Sequence, residues 1–285
     1  MNRPAPRELY ITADDFGRDQ DINSAVQIAH ESGILSAASL MVTGGAWRQA
    51  VRMARAMPRL DVGLHLVLSN GQAALPPEEI PRLVDRRGRF SDWPTLAGVN
   101  YWISRDARRQ LRREIDAQFE RFASTGLSLA HVDGHQNMHL HPVVFDIVLP
   151  LAQRCGARRI RVPHDNLRLA LRFDRSRLVG NILTAGIFSL LERRSRAHMA
   201  GSSMAAPRNG YGLLMSGQMT ESYVLEILGQ LDDQSAEIYF HPTIGNRREK
   251  LGPNRGDLDT LVSERVRKLV AERFSSDGVF SEDRA

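Results

Sequence analysis

One cysteine in 285 residues, Cys155, leaves the chain nothing with which to close an internal disulfide, so a disulfide-stapled secreted scaffold is excluded. Lysine is almost as scarce. Of 38 basic side chains only Lys250 and Lys268 are lysines, and the rest are arginine. Long hydrophobic runs are missing too. The longest uncharged stretch in the arginine-rich part, Leu178 to Leu191, has fourteen residues, short of the about 20 that a bilayer-spanning helix needs. Met1 to Glu8 is polar and proline-bearing, without a signal-peptide apolar region. Repeats, low-complexity tracts and linker-like Gly/Ser/Pro runs are absent as well. These absences predict a soluble, cytoplasmic protein built as one domain, and 42% hydrophobic residues suffice for its core. A net charge of +5 and a pI near 9.8 suit an anionic partner such as nucleic acid or acidic lipid head groups, or an ordinary solvated face.

What is present is an alternation of short β-rich runs with helical stretches. Candidate strands are Leu9–Ala13, Ser36–Val42, Val62–Leu68, Leu129–Val132, Arg159–Val162 and Glu237–Phe240. Candidate helices are Ile22–Ser32, Trp47–Ala56, Asp106–Ser124, Val143–Arg154, Leu178–Arg194 and Ser222–Gln230. In the third of these, Leu111, Ile115, Gln118/Phe119 and Phe122 recur at helical spacing, and Gly126 stands where a C-cap is expected. Such alternation predicts an α/β fold with a parallel sheet, closed into a distorted β/α barrel or left open and doubly wound. A barrel carries its site at the C-terminal strand ends. Asp14 and Asp15 follow the first strand, His65 lies in the third, His135 follows the fourth and His241 the last.

Three clusters carry chemistry. In Thr12-Ala13-Asp14-Asp15-Phe16-Gly17, two adjacent carboxylates at a strand end repel one another unless a cation joins them. One can then ligate while its neighbour stays free as a base; the ordinary alternative is a turn or helix-capping aspartate. In His131-Val132-Asp133-Gly134-His135-Gln136-Asn137-Met138-His139-Leu140-His141-Pro142, four of the nine histidines fall within eleven residues. Imidazole is the commonest neutral ligand for first-row divalent metals, yet four rings cannot all ligate beside an aspartate and another histidine. His65 in Gly63-Leu64-His65-Leu66 and His241 in Tyr239-Phe240-His241-Pro242 are, taken singly, ordinary strand histidines. Between these clusters, residues 69 to 105 form a long segment with Phe90, Trp93, Tyr101 and Trp102, suited to a lid that stacks on sugar rings or to a small satellite core.

Taken together the motifs resemble the YdjC-like carbohydrate deacetylases, most closely the branch of hopanoid-associated N-acetylglucosamine deacetylases. The likeness covers most of residues 8 to 165, including Gly33 to Val42 and Leu75-Pro76-Pro77, and more loosely Tyr211–Gly217 and His241-Pro242. It implies a distorted TIM-like barrel in which Asp15, His65 and His135 hold one divalent metal, Asp14 is the general base and His241 the general acid. Asp133 and His139 are candidate substrate contacts, and Arg161, which ends the fifth candidate strand, is a candidate contact to a sugar hydroxyl or else a solvent-exposed or salt-bridged side chain. This chain has Asn137 where the family usually has His. Two imidazoles and a carboxylate suit Zn, Mn, Co or Fe, and Mg less comfortably. The implied substrate is an N-acetylated sugar or glycolipid, first an N-acetylglucosaminyl hopanoid and second a soluble chito-oligosaccharide. No nucleic acid is expected. Arginines on both sides of Leu178 to Leu191 suit a peripheral contact with the inner membrane, while the plainer alternative is a barrel helix. Two rivals stand apart: a non-haem iron oxygenase on the same two-His-one-carboxylate set, and an arginine-rich non-catalytic module binding membrane or nucleic acid.

Overall fold

The computed structural model describes residues 8–231, 235–246, 249 and 251–274. Seven strands run parallel: β1 (Leu9–Phe16), β2 (Ala37–Leu40), β3 (Asp61–Leu66), β4 (His131–Gly134), β5 (Arg159–Ile160), β6 (Asn209–Tyr211) and β7 (Ala236–Phe240). Their order in the sheet is β5-β4-β3-β2-β1-β7-β6. The two ends of this sheet meet. Ile160 N donates to Ala205 O, Ala205 N to Arg158 O, and Gly210 N to His164 O, so the chain entering β6 closes on β5. At this seam a Cβ on Gly210 would stand 3.0 Å from the Pro163 Cα, so the approach tolerates little beyond glycine. The result is the distorted TIM-like barrel, with its irregularity concentrated in the two-residue β5 and three-residue β6.

Strands buried on both faces read as continuous apolar runs, and Leu9, Ile11, Ala13 and Ala236, Ile238, Phe240 are fully buried in the adjacent β1 and β7. β6 escaped notice because Asn209-Gly210-Tyr211 carries no such run; only its pairing with β7 makes it a strand. Around the sheet lie α1 (Gln20–Ser32), α2 (Trp47–Ala56), α3 (Pro94–Ile103), α4 (Arg105–Ala123), α5 (Pro142–Arg154), α6 (Leu167–Phe173), α7 (Leu178–Met199), α8 (Glu221–Gln230), α9 (Arg255–Leu261) and α10 (Glu264–Arg273). The starts are chemically marked: Asp19, Ser104, Asn166, Asn254 and Ser263 each accept a hydrogen bond from a first-turn amide. A short 3₁₀ segment, His135–Leu140, links β4 to α5.

Residues 69 to 105 are not structureless. They contain α3 and two antiparallel bridges, Gln72 with Arg89 and Val84 with Phe90. Ile80, Leu83, Phe90 and Tyr101 join the core, whereas Trp93 and Trp102 remain exposed. Glu114 of α4 anchors the segment by accepting from Ala74 N and Leu75 N. Among the described residues no helix is long and apolar enough to cross a membrane.

Candidate metal centre

Side chains alternate across a regular strand, so Asp14 and Asp15 should face opposite ways. A bulge prevents this. Ala13 pairs with Ala38 and Phe16 with Leu40, so β1 spends three steps where β2 spends two. Asp15 takes up the extra residue in the left-handed region, φ 64°, a conformation aspartate tolerates better than most residues and that stores about 1 kcal/mol or more of strain. Both carboxylates thereby reach the C-terminal mouth of the barrel.

There Asp15 meets two histidines. Its Oδ1 lies 3.0 Å from His135 Nδ1 and 3.4 Å from His65 Nε2, while Arg18 Nη1 holds Oδ2 at 3.0 Å. One donor atom from each of Asp15, His65 and His135 falls within 4.8 Å of the others. Both Nε2 atoms are buried without a hydrogen-bond partner. Two unpaired imidazole nitrogens beside a carboxylate are the donor set of a divalent transition metal, so these residues fit the ion that the motifs imply.

His65 is oriented from behind. Its Nδ1 donates to Asp133 Oδ1 at 2.7 Å, which in the neutral ring would free the Nε2 lone pair for a metal ion. Burial opposes charge on His65, but Asp133, Asp15 and Asp14 outweigh it and push its pKa up to about 10 in the absence of a bound cation. Burial likewise opposes ionisation of Asp15, and the two histidines more than compensate, holding its carboxyl well below the usual range.

Behind Asp133 the proton positions follow link by link. Ser39 Oγ donates to Asp133 Oδ2 at 2.7 Å, so His131 Nε2, 2.9 Å away, must donate to Ser39. Burial first, and Arg159 second, hold His131 well below its ordinary pKa, so its ring is neutral and Nδ1 accepts from Arg159 Nη2 at 3.2 Å. Gly63 makes room for this ring, since a Cβ there would stand 2.4 Å from it.

On the other side, Arg161 grips Asp14 with both terminal nitrogens, at 2.7 and 2.8 Å. The same guanidinium contacts Asp133 at 2.7 Å and Glu237 at 2.9 Å, and it lies over the Tyr239 ring, 4.2 Å from the centroid. Thr12 Oγ1 completes Glu237 at 2.9 Å. Burial disfavours the charged arginine, but Asp133, Asp14 and Glu237 together raise its pKa well above normal. Around this cluster carboxylates (Asp14, Asp15, Asp133, Glu237 and, on the far side of Arg18, Glu249) outnumber the guanidiniums of Arg18 and Arg161, an excess of negative charge that suits a divalent cation. His241 stands at the rim. Its backbone N donates to Asp257 Oδ2 at 2.8 Å, its Nε2 is 3.8 Å from Asp14 Oδ2 and its Nδ1 has no partner.

The structure thus brings Asp14, Asp15, His65, His135 and His241 together at one mouth. The three expected substrate contacts are engaged within the chain. Asp133 is fully buried between His65 and Arg161, His139 is buried with Nε2 against Arg161 O, and Arg161 is turned inward by three carboxylates. A guanidinium so engaged has no free edge for a sugar hydroxyl, so these residues support the site rather than face its opening. Asn137 follows Gln136 in a left-handed pair, φ 55° and 53°, which asparagine accommodates more readily than most residues. Sequence reasoning missed Arg18, Ser39 and Glu237. A lone acid inside the apolar run Ala236–Phe240 was the available signal for Glu237.

A β/α barrel with a buried carboxylate-and-histidine cluster at its C-terminal mouth is the class that fold and site define. The family described as YdjC-like protein matches residues 8–272, and the chain belongs to that family. It is 38% identical over 146 residues to a carbohydrate deacetylase of Brevibacillus brevis, a match covering 51% of this chain and 56% of that protein. The shared stretch therefore spans little more than half of that relative's length. A chitooligosaccharide deacetylase of Serratia marcescens is 28% identical over 274 residues, covering 93% of this chain and 94% of its own. Among solved structures, an Enterococcus faecalis V583 protein described in terms of cellobiose-phosphate cleavage superposes with a TM-score of 0.71 over 94% of this chain and 95% of its own. At 22% identity that likeness concerns the fold alone.

Proposed function

We propose that this chain is a metal-dependent N-deacetylase that hydrolyses the acetamido group of an N-acetylglucosamine unit. The observation that carries the reading is the buried cluster in which one donor atom from each of Asp15, His65 and His135 lies within 4.8 Å of the others. Carbohydrate and chitooligosaccharide deacetylases among the relatives support the substrate class.

Asp15, His65 and His135 would hold one divalent cation, which would supply Lewis acidity toward the amide carbonyl and the attacking water. Asp14 accepts the proton of that water as its oxygen adds to the carbonyl carbon, and the Arg161 fork fixes the carboxylate in line. His241 Nε2 gives a proton to the departing nitrogen as the C–N bond breaks, so acetate and a free amine leave the mouth. Asp133 keeps His65 in the ligating tautomer. The segment 69–105 serves as a lid, with Trp93 and Trp102 exposed at the edge where sugar rings would stack.

The substrate we favour is the N-acetylglucosaminyl hopanoid, encountered by a cytoplasmic enzyme at the inner membrane; a soluble chito-oligosaccharide is the competing choice. Acetate release should be measured on both that glycolipid and diacetylchitobiose, with and without a chelator. Chelator-sensitive release with preference for the glycolipid is expected. Release that survives exhaustive chelation would overturn the metal reading, and release from diacetylchitobiose alone would remove the lipid. Oxygen uptake with iron and no acetate would instead favour the oxygenase.

A further inference from the structure

The plainer alternative for Leu178 to Leu191, an ordinary barrel helix, predicts a buried apolar stripe. In α7 only Asn181 of those fourteen residues is buried. Leu178, Val179, Ile182, Leu183, Ile187 and Leu190 are exposed, between 43% and 70% of each residue's surface. Val179, Leu183, Ile187 and Leu190 recur at spacings of 4, 4 and 3, so they form one stripe. Phe188 and Leu191 face the other way and pack on the core.

A second helix does the same. Trp93, Leu96, Val99, Trp102 and Ile103 of α3 and its N-cap are 56% to 76% exposed. Fifteen large apolar side chains are strongly exposed among the described residues, and eleven of them belong to these two helices. Scattered exposed leucines are normal in globular proteins; concentration on two helices is not.

Both helices stand at the barrel mouth. α3 and α7 each pack against the His135–Leu140 segment that carries a candidate ligand. The middle of α7 lies over Pro163 to Asp165, after β5, and over Leu213 and Leu214, after β6. Trp102 meets the His141 ring edge-on with centroids 5.9 Å apart. The apolar faces therefore flank the opening of the proposed site rather than the far end of the barrel.

The charge around them selects the occupant. Around α7, from Arg172 of α6 to Arg196, six arginines stand against Asp174 and Glu192, with Arg172 and Arg194 paired to Glu226 and Asp146; from Arg105 to Arg113 the start of α4 carries five against Asp106, with Arg113 paired to Glu79. A symmetric pairing of two copies sets the same patch against itself and would bring these arginines face to face. An anionic bilayer accepts both features, since its acyl region takes the apolar stripe and its phosphates the arginine rim. We propose that α3 and α7 form a two-helix platform that docks the barrel mouth onto an anionic lipid bilayer. The acetylated head group of a membrane-held glycolipid then enters the site while its apolar part stays in the membrane. This second step rests on the deacetylase reading; the docking itself does not.

The experiment is co-sedimentation of the full chain with vesicles of phosphatidylcholine, alone or mixed with an equal part of phosphatidylglycerol. The native chain should bind the mixed vesicles, and added salt should weaken it. Leu183→Glu with Ile187→Glu should reduce binding about tenfold or more, and Leu96→Glu with Ile103→Glu should reduce it independently. Serine at the same four positions provides uncharged variants should glutamate disturb folding, which circular dichroism and thermal unfolding check. Acetate release from diacetylchitobiose, if native protein shows any, should persist in the α7 variants, which lie outside the proposed lid, so loss of docking and loss of catalysis are read separately there. Native protein that binds neither vesicle overturns the proposal. So do glutamate variants that bind like native, or a native dimer, seen by light scattering, that the α7 variant converts to monomer without any vesicle binding.

Discussion

The barrel mouth and the outer face of α7 invert the usual partition of residues in opposite ways. Within the mouth, Asp14, Asp15, Asp133, Arg161 and Glu237 are charged and at most 3% exposed. On α7, apolar side chains stand in solvent over more than three turns. The charged inversion is answered inside the chain: every carboxylate finds a guanidinium or an imidazole, and what remains is an excess of negative charge that suits a cation. The apolar inversion is answered by nothing within the described residues. The mouth is therefore a self-contained device for chemistry, while the apolar face of α7 needs a complement from outside the chain.

The sharpest way to break this comparison is to remove the hub of the mouth. Arg161→Met strands Asp14, Asp133 and Glu237 in a dry interior and should destabilise the metal-free protein by about 3–5 kcal/mol in urea unfolding, with activity lost. A stable variant would mean that the carboxylates are relieved in some other way. Asp14→Asn should lower turnover about 10²–10⁴-fold while elemental analysis still finds the cation, whereas His135→Ala should lose most of it.

A pH series sharpens the same contrast. The folded pKa of His65 is raised from 6.5 to about 10, so its contribution to stability is fully present below the unfolded value and is lost as pH rises through the folded one. With chelator, the melting temperature should therefore decline between those limits, and Asp133→Asn should flatten the decline. Metal affinity should rise over the same range, because the ligand is the deprotonated ring. The smallest effect is expected outside. Ile187→Glu should change stability by no more than about 0.5 kcal/mol, whereas Phe188→Glu, one residue on and packed against the core, should destabilise by about 1–3 kcal/mol. Equal losses at both positions would mean that α7 is covered in solution.

Much of the site was legible in the linear chain because barrel chemistry sits where strands end, and strand ends can be read from apolar runs. That logic led to Asp14, Asp15, His65, His135 and His241 before any contact was known. It left Arg161 open between a sugar contact and a salt-bridged role, because a position at the end of the fifth strand says nothing of direction. Three carboxylates from β1, β4 and β7 turn it inward, and they are 147, 28 and 76 residues away in the chain. It failed for β6 and for α3, α6, α9 and α10 for a related reason: short or polar segments such as Asn209–Tyr211 or Arg255–Leu261 become elements through neighbours and caps rather than through period.

Composition, strand–helix alternation and motif spacing by themselves determined a parallel α/β fold and the chemistry-bearing side chains at its strand ends, since period and residue chemistry are local properties; that the sheet closes into a barrel rather than staying open was decided by the tertiary structure. Only the tertiary structure decided that a bulge turns Asp14 and Asp15 to the same side, and that Asp133 orients His65 while Ser39 and His131 hold Asp133 in turn. It alone decided as well that the apolar stripe of α7 faces solvent. Those outcomes depend on which strands lie side by side and which faces find a partner, and such pairings are long-range.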